Sequence, residues 1–156
     1  MRYWTASILP ALVGTALPFW LKPPDFLFRW MPAGKFLLAV LMFHAGFSFL
    51  HEYLMPGTTR KSRGNLKWAL GCITLAYALG LHLENGLKLH KGVYEHIFLV
   101  FGISALFVGT LYVLPPLRFW QRAGGEMVIA MGMGFLPVLG AYLVQVGDIT
   151  RRVYLA

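Results

Sequence analysis

Five long apolar runs, 3–21, 36–55, 68–83, 97–114 and 127–146, leave this chain few ways to fold. A helix crossing the hydrocarbon core of a bilayer needs roughly 17–25 such residues. In lipid its backbone N–H and C=O groups must also find partners inside the protein. The runs therefore predict an all-α membrane bundle of about five transmembrane helices, forming one domain over 1–156. Hydrophobic residues are 58% of the chain and charged residues 13%, whereas soluble domains run at about 45–50% and about 25%. The lone cysteine, Cys72, excludes an intrachain disulfide and a zinc site made of several thiolates. A formal charge of +8 could suit nucleic acid, but the basic residues sit in short loops between apolar runs. Membrane lipids, and not nucleic acid, are the expected partners there.

Punctuation between the runs is visible. Lys22-Pro23-Pro24-Asp25 ends the first, and Phe26 to Pro32, with Arg29 and Trp30, reads as an interfacial stretch before the second. Pro56-Gly57 opens a basic loop with Arg60, Lys61, Arg63 and Lys67; Glu84-Asn85-Gly86 and Pro115-Pro116 close the third and fourth runs. The first run holds Pro10 and Pro18 and precedes four more, so it is read as a span and not as a cleaved leader. Lys and Arg divide evenly between the two sides. The density of charge at 60–67 then places the N-terminus and the 56–67 loop in the cytoplasm.

Ionisable groups inside such runs cost at least about 2.5–3.5 kcal/mol each on insertion scales, so each needs a reason. The second run holds most of them. His44, Ser48, His51 and Met55 recur every three or four residues on one helical face, with Glu52 one step round from His51. Three readings of this stripe stand side by side. It can bond to a neighbouring helix, it can line a ligand or metal pocket near Glu52, or His44 or His51 can be an axial ligand to a haem or chlorin. A zinc-protease motif is excluded, because Met55 stands where the second histidine of HExxH belongs. His82, His90 and His96, at or beyond helix ends, are expected to be solvated or interfacial. Small residues at Cys72, Ala76 and Gly80, and at Ala130 and Gly134, predict close helix packing, and Pro137 predicts a bend or break in the fifth helix. A channel or transporter is a minor reading, since five helices are few for two repeats in one chain.

Three stretches resemble the UbiA-type intramembrane prenyltransferases, especially the branch that prenylates 1,4-dihydroxy-2-naphthoate. Residues 7–21, SILPALVGTALPFWL, are similar to its first helix; residues 44–59, HAGFSFLHEYLMPGTT, to its second helix and first aspartate-rich motif. Residues 124–146, GGEMVIAMGMGFLPVLGAYLVQV, resemble its helix ending in G-x-Y-x-x-Q, with Tyr142 and Gln145 at the Tyr and Gln and Glu126 at the acidic position. The resemblance covers nearly the whole chain and about the first half of the family's fold. It implies Mg²⁺ held by carboxylates on a prenyl diphosphate, with Glu52 and Glu126 as the acidic candidates. His44, Ser48, His51, Arg60, Lys61, Arg63, Tyr142 and Gln145 are the substrate or ligand candidates it leaves.

The departures decide the expectation. Where the family reads N-x-x-N-D-x-x-D and a further Asp, this chain has Ser48, His51, Glu52, Met55 and Thr59, so Glu52 is the surviving carboxylate and the one weak metal candidate. Ionising an allylic diphosphate needs hard cations clamped by oxygen, and a thioether is a poor Mg²⁺ ligand. The family's second motif lies beyond the YxxQ helix. The chain is therefore expected to be a non-catalytic UbiA-like subunit among other integral membrane subunits of an energy-transducing, photosynthetic or respiratory assembly, with a bound quinone, lipid or chlorin pigment. The alternative is a split or divergent Mg²⁺-dependent prenyltransferase.

Overall fold

A computed structural model describes residues 4–21, 29–54, 62–87, 96–114 and 124–146. They form helices α1 (Trp4–Leu21), α2 (Trp30–Leu54), α3 (Ser62–Leu87), α4 (Ile97–Val113) and α5 (Gly125–Val146), and no strand occurs among the described residues. Trp30–Leu54, Gly64–Asn85 and Gly125–Val146 are long and apolar enough to cross a membrane, and Ile97–Val113 is a shorter apolar helix. Large apolar side chains such as Leu9, Trp68, Ile103, Phe107 and Met127 are left exposed on several helices. Water would penalise such a surface and lipid would not, which supports an integral membrane protein.

Two helices have bounds that differ from the expectation. α2 begins at Trp30, inside the stretch read as interfacial, because Pro32 falls in its first turn, where a missing N–H costs no intrahelical bond. α3 is not the shortest helix but runs 26 residues, well past 68–83 at both ends. Its added turns carry Arg63, Asn65, Lys67, Glu84 and Asn85, which a hydropathy reading discards and a helix protruding beyond lipid retains.

At Pro137 the fifth helix continues. Ala130–Phe135 is wound as a π-helix, and the Leu136 N–H bonds to the Met131 carbonyl five residues back. A proline clashes with the carbonyl four residues earlier in an α-helix; the wider turn just before it takes up that misfit without a break.

α2 packs along α3 and α1 packs along the C-terminal half of α5. Glycine permits both contacts. A Cβ on Gly46 would lie 2.6 Å from Ile73 and 3.0 Å from the Ala69 carbonyl, and one on Gly14 would meet the Val138 backbone. The ridges read from sequence act otherwise. A Cβ added to Gly80 or Gly134 would meet nothing within 4 Å, and Ala76 and Gly80 instead line an open cleft.

Thr15 and Thr110 donate their hydroxyls to the Leu12 and Phe107 carbonyls, so neither leaves a polar group bare on an apolar helix. The core joins Ala11, Phe36, Leu83, Phe98, Ala141, Leu143 and Val144 from all five helices.

Candidate functional site

His44 lies near the middle of α2, ten residues from its C-terminal end, or ~15 Å along the axis. Its Nδ1 sits 2.8 Å from the Val40 carbonyl oxygen one turn back. A carbonyl can only accept, so Nδ1 carries the proton and the neutral ring presents Nε2 as a lone pair. Val40 is thereby the group that sets the tautomer.

Two apolar clefts meet at this ring. The larger, with about 100 Å³ of space, runs between α2, α3, α4 and the middle of α5, floored by small residues including Ala76, Gly80, Gly102, Ala105 and Gly132. The smaller, of about 70 Å³, continues between α2, α4 and α5 past Phe47, Val108 and Met133. Phe43, His44, Ala105 and Gly132 border both. Among the described residues that line the larger cleft, the only polar side chains are His44 and Tyr77, whose ring lies against Gly102. The arrangement can hold an apolar body and orient it with one or two hydrogen bonds, the ordinary design of a small-molecule site.

The other predicted residues do not gather here. Ser48 and His51 are half-buried farther along α2, and neither borders a cleft. Glu52 is exposed and accepts a 3.3 Å hydrogen bond from Asn65 at the start of α3, two helical turns from His44. Glu126 is exposed in the first turn of α5. Arg60 and Lys61 lie outside the described residues, as does Met55, and of Arg63 only the helical backbone is described. Among the described residues no three of His, Cys, Asp and Glu come together as metal ligands.

Tyr142 and Gln145 are buried at the opposite end of the bundle from Glu52 and Glu126. Gln145 is 1% exposed, and its amide is a bridge within the protein. The Arg29 N–H donates to Oε1 at 3.0 Å, and Nε2 donates to the Arg29 carbonyl at 3.4 Å. The side chain thus pairs with both polar groups of the backbone just before α2, as a neighbouring peptide unit would. Burial costs it little because each end is satisfied.

Sequence reading missed two features. Tyr77 read as an ordinary residue in an apolar run, and only its apposition to Gly102 brings it to the cleft. Glu84, read as a helix-ending residue, accepts the Leu99 N–H at 3.2 Å and lies 3.2 Å from His96 Nδ1, so it caps α4 from across the α3–α4 junction. A Glu followed some dozen residues later by a helix start is the one signal that could have found it. His82 and His96 are exposed, and His82 Nε2 meets Lys35 Nζ at 2.9 Å. His90 lies outside the described residues.

Comparison with family models, with curated proteins and with solved structures gives no match to this chain.

Proposed function

We propose that the chain is a non-catalytic, five-span membrane subunit that packs among other integral subunits and holds a lipid-soluble molecule, such as a quinone or lipid, in the cleft beside His44. The observation that carries this reading is the cleft itself. Its wall is apolar apart from an oriented imidazole and a tyrosine, it opens at mid-helix depth, and no described carboxylate reaches it. Carboxylates that could clamp Mg²⁺ on a diphosphate, Glu52 and Glu126, stand at a helix end instead. About 100 Å³ is less than the about 150 Å³ of a cavity that takes benzene, so the larger cleft suits a chain, and a ring would extend into the adjoining cleft of about 70 Å³; a chlorin macrocycle would need the helices to part.

The test is extraction of the detergent-purified protein with organic solvent followed by mass spectrometry. An apolar molecule near one equivalent is expected, together with integral membrane partners at fixed ratio. Ala105→Phe, which fills the junction of the two clefts, should remove the molecule and leave the fold. A well-behaved monomer that carries nothing would end this reading. The alternative, a split Mg²⁺-dependent prenyltransferase, draws its support from the resemblance alone. Prenyl transfer to a naphthoate by the reconstituted protein would establish it.

A further inference from the structure

The polar chemistry at the junction of the clefts says more than that something apolar binds. Nδ1 of His44 is committed to the Val40 carbonyl, and Nε2 has no hydrogen-bond partner among the described residues. Every fully buried side-chain nitrogen or oxygen among them does have one. Nε2 therefore keeps accessible surface, on a ring that borders both clefts. There it is an acceptor only, because Val40 has fixed the proton on the other nitrogen.

We propose, resting on the cleft-binding reading above, that the occupant is a lipid-soluble molecule bearing a hydroxyl, a phenol or an alcohol, which donates its O–H to His44 Nε2. An acceptor in an apolar wall discriminates by what it lacks. A ligand that brings a donor satisfies it, and a ligand that brings only a carbonyl or ether oxygen strips it of water and leaves it unpaired. Of a quinone and its reduced form, the site takes the hydroxyl-bearing quinol. Tyr77, the other polar group on the wall, has a hydroxyl that both donates and accepts, so it adds affinity without imposing the same choice.

Paired probes that differ only in the proton test this. Calorimetric titration of the full chain in detergent micelles would compare 4-octylphenol with 4-octylanisole, and 1-decanol with 1-methoxynonane. The hydroxyl member should bind on the order of tenfold tighter in at least one pair, and which pair shows it tells an aromatic from an aliphatic source. In His44→Phe the ratio should fall to near one while the ether keeps its affinity. Should that variant fail to fold, ¹⁵N resonances of the wild-type imidazole carry the test: Nε2 should move with the phenol or alcohol and stay still with its ether. Equal binding within both pairs overturns the hydroxyl assignment and leaves the cleft a general apolar site. Binding of no probe at all overturns the cleft-binding reading as well.

Discussion

In α5 the residues Ala141 to Gln145 are buried on every side, whereas Met127, Met131 and Phe135 in the preceding turns are exposed. Both halves are apolar, and the difference lies in their neighbours. The C-terminal half is clasped by α1, through the Gly14 notch, and tied to the start of α2 by Gln145. The N-terminal half carries the π-helical turn and borders α4 and the clefts. One helix is thus an anchor at one end and a wall of a candidate site at the other. π-helical turns are frequent at functional sites, and this one supplies Gly132 and Met133 to the cleft walls.

Substitutions at both ends can break this contrast. The largest effect is expected from Gly14→Val, whose Cβ would collide with the Val138 backbone; overpacking there should cost about 3 kcal/mol. Thermal unfolding in detergent, followed by circular dichroism, reads it, and an unchanged midpoint would mean that α1 does not clasp α5. Gln145→Leu comes next, at about 2 kcal/mol, because it strands the Arg29 N–H, while the Arg29 carbonyl keeps its bond from the Ala33 N–H. Hydrogen exchange at the Arg29 amide should speed up in step with the loss of stability. If exchange there is unaffected, the bridge is not what holds that end of α2.

Smaller effects follow at the α3–α4 junction and on the exposed half of α5. Glu84→Ala removes the acceptor for the Leu99 N–H and should cost about 1 kcal/mol. Glu84→Gln keeps an oxygen there and should cost less. If the two variants lose the same amount, it is the charge facing His96 and not the cap that matters. Met131→Leu and Phe135→Leu should stay within about 0.5 kcal/mol of the parent. A large loss at either residue would show that this face is covered by protein and not by lipid.

Much of the fold was legible because long apolar runs admit so few backbone solutions in lipid. The spacing of His44, Ser48 and His51 places the three on one face of α2, and of them His44 borders the clefts. That Tyr142 and Gln145 lie at the opposite end of the bundle from Glu52 and Glu126 was not legible. Their spacing along the chain carries no information on which end of which helix faces which neighbour. Gln145 illustrates the gap: its partner is the backbone of Arg29, 116 residues away, and backbone has no signature in a side-chain pattern.

By itself the sequence determined that the described residues are helical with helices long enough for a membrane, the place of most helix ends, and a second helix rich in ionisable groups. These follow from local rules of hydrogen bonding and hydropathy that act over a few turns. Tertiary structure alone decided that α5 passes Pro137 by a change of winding and not by a break, that Ala76 and Gly80 of α3 line a cleft, and that His44 is the member of its stripe that reaches the clefts. Those outcomes depend on the shapes of two or more helices meeting. Hydropathy, which scores a side chain buried in protein and one bathed in lipid alike, cannot register such a meeting.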